Sequence, residues 1–80
     1  MQHLLNCLTQ PVQDTSAERA AIKDKEIRKG FADLLAVMQP EDQLWEYEWY
    51  EPPGGRDSYS LGWCVIRQGQ VIDIYCHSYS

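Results

Sequence analysis

Trp45, Glu46, Tyr47, Glu48, Trp49, Tyr50 and Glu51 alternate aromatic with acidic side chains at close to the two-residue period of a β-strand. Such a strand carries rings on one side and carboxylates on the other, which is the pattern of a half-buried sheet member. Tyr50 leaves the ring row and shares the acidic side. The strand is expected over residues 43–51: a turn at Pro40, Glu41 and Asp42 precedes it, and Pro52, Pro53, Gly54 and Gly55 end it in one long connection, residues 51–58.

Two further runs, 59–67 and 70–78, are rich in β-branched and aromatic residues, with Gln68 and Gly69 between them. That is a hairpin with a two-residue turn, in which glycine supplies the positive φ that primed turns favour. A regular ladder from this turn sets Arg67 opposite Gln70, Val65 opposite Ile72, Trp63 opposite Ile74 and Leu61 opposite Cys76. One side would then collect Leu61, Trp63, Val65, Ile72, Ile74 and Cys76. The other would hold Gly62, Cys64, Ile66, Val71, Asp73, Tyr75 and His77, a mixed face suited to partial exposure.

Upstream, Thr15 and Glu18 have the spacing of a capping box and open a helix expected over residues 15–39. Ile27, Phe31, Leu34, Leu35 and Met38 form its apolar stripe, and Pro40 stops it. The first half is dominated by Arg19, Lys23, Asp24, Lys25, Glu26 and Arg28 and faces water. Gly30 marks either a kink or a close approach to the sheet. Residues 1–14, with Leu4, Leu5, Cys7 and Leu8 ahead of Pro11, form an N-terminal arm or a short helix.

The expected architecture is α+β: a single small domain over residues 1–80, with one main helix packed on a three-stranded antiparallel β-meander (αβββ). The helix is expected to cover the Leu61–Cys76 side, with the ring row of Trp45, Tyr47 and Trp49 turned toward it and the carboxylates toward water or a partner.

Eighty residues permit one domain, whose core is thin because a chain of this size hides only about 60% of the surface it exposes when unfolded. With 44% hydrophobic and 11% aromatic residues, the chain is nonetheless composed as a folded protein. Twelve acidic against seven basic residues give a net charge of −5, which repels phosphate backbones and disfavours direct nucleic-acid binding. The same sign attracts a basic surface. Three cysteines, Cys7, Cys64 and Cys76, cannot all pair within one chain, and no charged-then-apolar leader precedes them, so a cytoplasmic location and no membrane contact are expected.

A metal site from His3, Cys7, Cys64, Cys76 and His77 is set aside because the regular register sends Cys64 and Cys76 to opposite faces, leaving the cysteines as small hydrophobes. A cysteine nucleophile built from Cys64, Asp73 and His77 fails on distance, since His77 lies four residues along the strand from Asp73, roughly 13 Å. Glu46 and Glu48 read as a solvated strand face, and the ring row reads as core instead of a base-stacking platform, because carboxylates interleave with it. No catalytic residue, cofactor or metal is expected, and the chain does not read as an enzyme.

Asp42, Leu44, Trp45, Glu46 and Tyr47, then Pro52 and Pro53, then Gly62, Val65, Arg67, Gly69, Val71 and Asp73 resemble a group of short bacterial and phage proteins without an assigned activity. The resemblance covers the C-terminal half and implies no catalytic residue. The loop Gly54 to Ser58 is shorter than in that group.

The functional expectation is a small acidic, non-enzymatic protein-binding module. Glu41, Asp42, Glu46, Glu48 and Glu51 would stand in for phosphates on the basic surface of a larger protein, with Tyr50 and Tyr59 as rim anchors. Phage-encoded inhibitors that occupy a nucleic-acid-binding site on a host nuclease or CRISPR complex share this size and charge. The alternative is a structural, homodimeric subunit joined through its open sheet face or an edge strand.

Overall fold

A computed structural model of the chain describes residues 5–51 and 58–79, with the side chain of Glu51 excepted. His3, Leu4 and the connection at Pro52–Gly55 lie outside the described residues. In chain order the elements are β1 (Leu8–Pro11), α1 (Thr15–Ala21), α2 (Lys25–Ala36), β2 (Gln43–Glu51), β3 (Ser58–Arg67) and β4 (Gln70–Tyr79). The class is α+β and the sheet is antiparallel, but it has four strands in the order β1-β2-β3-β4 rather than three, and two helices rather than one. None of the described helices is long and apolar enough to cross a membrane.

The extra strand comes from the N-terminal arm. Leu8 pairs with Tyr47, Gln10 with Glu46 and Pro11 with Trp45, with an irregularity at Thr9. Pro11 lacks an N–H, yet a sheet edge tolerates this, because one side of an edge strand has no neighbour to receive a donor. The Val12 N–H then donates to the Leu44 carbonyl at 2.8 Å, which extends the pairing past the proline.

The expected single helix breaks after Ala21, because two aspartates cap two helices. Asp14, not Thr15, is the first cap, and its carboxylate accepts from Ala17 N–H at 3.0 Å. Asp24 is the second: one oxygen accepts from both Glu26 N–H and Ile27 N–H, at 2.8 and 3.1 Å. Arg28 bridges the break by donating from Nε and Nη2 to the Ile22 carbonyl, at 3.2 and 3.0 Å. Gly30 marks no kink; it is the point of close approach to the sheet, where the Tyr75 ring lies directly over its Cα hydrogens.

Strands β2, β3 and β4 fall within a residue of their expected bounds, and the hairpin turn is at Gln68 and Gly69, both at positive φ (52° and 78°). The register of β4 differs from the regular ladder. Arg67 pairs with Gln70 and Ile66 with Val71, but Val65 then pairs with Asp73, so Ile72 is an extra residue and the side chains from Asp73 to His77 change face. Tyr75 lies opposite Trp63 and Ile74 opposite Cys64, and a second irregularity beyond Cys76 leaves His77 unpaired.

The consequence is a correction to both faces. Phe31 and Leu34 of α2 pack on Leu44, Trp63 and Val65, with Ile22, Ile27, Leu35, Met38 and Tyr75 around them. This helix side therefore carries the even-numbered residues of β2: Leu44, Glu46, Glu48 and Tyr50. The ring row of Trp45, Tyr47 and Trp49 points the other way, into a second cluster with Cys64, Ile66, Val71 and Ile74, where Leu5, Cys7 and Leu8 cover part of it. The rings do not meet the helices. The carboxylates share the helix side.

Candidate functional site

α2 crosses only one end of the sheet, over Leu44 and Val65, so among the described residues the other end of the helix side stays open. There β2 pairs Glu46 with Trp63, Glu48 with Leu61 and Tyr50 with Tyr59. Two adjoining clefts result. One, of about 370 Å³, is lined by Gln10, Glu46, Glu48, Leu61 and His77; the other, of about 430 Å³, by Tyr50, Tyr59, Leu61 and Ser78. Leu61 is their shared floor.

Each wall has a structural cause. Trp63 is 5% exposed and must place its indole N–H, which donates to Glu18 Oε2 at 3.0 Å. Phe31 meets the same indole edge-on at 4.8 Å, Tyr75 stacks parallel to it at 6.3 Å, and the His77 ring lies 4.7 Å away. By drawing α1 over the sheet, Trp63 brings the Glu18 carboxylate beside Glu46. Gln10 on the edge strand donates its amide to Glu46 Oε2. Tyr50 Oη donates to Glu48 Oε1 at 2.8 Å, which fixes one carboxylate and one phenol as a pair.

The electrostatics follow from this crowding. Removal from water pushes the Glu46 carboxyl above its ordinary range, and Glu18 and Glu48 push it the same way, while the Gln10 amide opposes them. His77 is pushed down, chiefly because burial disfavours its cation. It therefore adds no positive charge to the cleft at neutral pH. Its Nδ1 is 2.8 Å from Ser78 Oγ.

The expected binding residues divide. Glu46, Glu48, Tyr50 and Tyr59 are brought together along the two clefts. Asp42 is not: its side chain is fully covered, its oxygens accept from Arg67 Nε and Nη2 at 2.7 and 2.8 Å, and one also accepts from Gln39 N–H at 2.9 Å. The Arg67 hydrogen bond holds the Asp42 carboxyl below its usual range, and the same bond raises Arg67. Glu41 is exposed beside this pair and away from the clefts. Glu51 pairs with Ser58 through its backbone, and its side chain lies outside the described residues.

Glu18, His77, Leu61 and Gln10 are site residues that sequence reasoning did not assign. Glu18 was visible only as half of a capping box, and the register slip at Ile72 hid His77. The same slip corrects the cysteines: Cys64 and Cys76 share the ring face, not opposite faces. None of the three cysteines is in a disulfide. Burial pushes the Cys64 thiol up to about 11, and Asp73 and His77, expected on its face, stand on the other one, so neither can activate it. Tyr47, pushed up to about 12 chiefly by burial, shares its Oη with Ser60 Oγ at 3.0 Å, which in turn lies 3.1 Å from Cys76 Sγ. No group of three or more metal-ligating side chains occurs among the described residues.

Comparison with protein-family models, with curated proteins and with solved structures finds no match to this chain.

Proposed function

We propose that the chain is a non-enzymatic binding module that takes a basic segment of a larger protein into the two clefts on the helix side of its sheet. The observation that carries this reading is the pairing of Glu48 with Tyr50 above a Leu61 floor, flanked by Glu46 and Tyr59. A carboxylate, two phenol rings and an apolar base suit an arginine or lysine side chain, whose stem packs on the floor while its cation meets the acid and the ring faces. Neutral His77 leaves the anionic charge of the cleft uncompensated, and the net charge of −5 steers a basic partner toward it. A surface that normally holds nucleic acid, on a host nuclease or CRISPR complex for example, is the kind of target such a module would block.

Affinity capture from the native host tests the proposal, with wild-type and Glu48→Lys chains as paired baits. Glu48 is exposed, so reversing it leaves the fold intact. The expected result is a basic protein retained by the wild type, released by salt and lost from the reversed bait. Identical retention on both baits, or none on the wild type, refutes it.

A further inference from the structure

We infer that the ring face of the sheet is a self-association surface, occupied by the same face of a second copy of this chain. The inference is independent of the basic-partner reading, because it uses the opposite side of the sheet. Trp45, Trp49, Val71, Ile74 and Cys76 are each only half-buried there, and Tyr79 is 78% exposed. Leu5, Cys7 and Leu8 pack against the Tyr47 cluster without enclosing these residues. The molecule is only 16 Å through its short axis, the depth of one helix layer on one sheet. Among the described residues no second layer covers the ring side.

Charge identifies the occupant. Among the described side chains that the register places on this face none is charged, and the position of Glu51, at the end of β2, is its one acidic position, whereas the helix side holds Glu46, Glu48, Asp73 and Arg67. A basic partner has little to meet on the ring face. A second copy does, because its own ring face is equally apolar, and a two-fold stack keeps the acidic clefts of both copies on the outer surfaces, with the two sheets about 10 Å apart between them. Two chains of charge −5 can approach through this face and through few others.

Area is sufficient. Three strands of 9 or 10 residues and the 4-residue β1, about 4.8 Å apart, give a face of about 500 Å² in projection. Two such faces reach the ~1,000 Å² that a biological interface needs, before the relief of the rings is included. The edge of β4 is the poorer route. Its Ile74 N–H already donates to the Asp73 carboxylate at 2.8 Å, and a carboxylate beside the strand blunts pairing with another edge.

Sedimentation equilibrium of the full chain at micromolar concentration is the test, with Trp49→Glu on the ring face and Lys29→Ala, exposed on α2, as the control. The wild type and Lys29→Ala are expected at twice the 9.3 kDa monomer mass, and Trp49→Glu at the monomer mass while keeping its far-ultraviolet dichroism. A buried aromatic at the centre of an interface weakens association about thirtyfold or more when removed. Should Trp49→Glu fail to fold, Tyr79→Glu takes its place, since a ring 78% exposed contributes little to the monomer. A wild-type monomer throughout, or a dimer unaffected by the folded ring-face variant, overturns the inference.

Discussion

Replacing Gly30 with alanine separates two physical accounts of the same residue by the sign of its effect. In an ordinary helix interior the change stabilises by about 1 kcal/mol, because glycine gives up more backbone freedom than alanine. Here the added Cβ would stand 2.2 Å from Tyr75 Cζ, with two more ring atoms at 2.4 and 2.7 Å. The ring cannot simply swing aside, since Trp63 lies parallel to it on one side and α2 closes the other. Overpacking of this kind costs roughly 1–3 kcal/mol. Disturbing the Trp63–Tyr75 stack costs about 0.5–1.5 kcal/mol more. Against the helical gain, the net is a destabilisation of about 0.5–3.5 kcal/mol, and each kcal/mol lowers the melting temperature of a domain this size by about 4–8 °C. Thermal and urea unfolding of Gly30→Ala, followed by circular dichroism, read it directly. The same substitution in a Tyr75→Ala background should become stabilising, by up to about 1 kcal/mol, because the obstruction is gone. A Gly30→Ala protein more stable than the wild type, or a substitution equally harmful in both backgrounds, would refute the close-packing account.

Three further outcomes follow from the electrostatics and the turn. Glu46 binds its proton more tightly in the folded chain than in the unfolded one, so its contribution favours the fold below the ordinary glutamate range and is lost as pH rises through the raised folded value. Glu46→Gln keeps an oxygen for Gln10 and removes the charge. It should match or exceed wild-type stability at neutral pH, with the difference vanishing near ~pH 3, and a loss confined to neutral pH would contradict the reading. Asp42 has the opposite sign: its stabilisation is present above the ordinary aspartate range and lost as pH falls through the depressed folded value, so Asp42→Asn should lower the urea midpoint at neutral pH and converge on the wild type in acid. Gln68 holds φ at 52° without the tolerance of asparagine, so Gln68→Asn should raise stability by about 0.5–1 kcal/mol in the same unfolding assay.

The strands and the hairpin were legible because period-two patterning and a two-residue turn are local. Which face the helices cover is not local. Alternation in β2 shows that rings and carboxylates part company, but not which of the two shares the side of the helix. Leu44 held the missing clue: it shares parity with Glu46, Glu48 and Tyr50, and it is 2% exposed beneath α2. That side of β2 is thus apolar at one end and acidic at the other, and the helices cover the apolar end alone. The extra residue at Ile72 was not legible at all. Nothing in Val71, Ile72 and Asp73 announces a bulge, and a slip of one residue reverses the face of each side chain from there to the second slip at His77. The helix break could have been read, since Asp24 followed by Glu26 and the apolar Ile27 has the look of a second helix start as much as of a solvated stretch.

The site itself rests on one choice of side chain. A phenylalanine at position 63 would fill the space between Phe31 and Tyr75 almost as well, but it would leave nothing for Glu18 to meet. The indole N–H requires an acceptor at 3.0 Å, α1 supplies one from a residue of its first turn, and the carboxylate so placed stands beside Glu46. Two acids held near one another in partly desolvated surroundings raise the affinity of that spot for a positive charge, because a cation relieves both the repulsion and the lost hydration. The packing that secures the helix to the sheet therefore also sets the charge at the open end of the sheet. The ring face differs in kind: its described side chains carry no charge, so the self-association inferred for it would leave both clefts open.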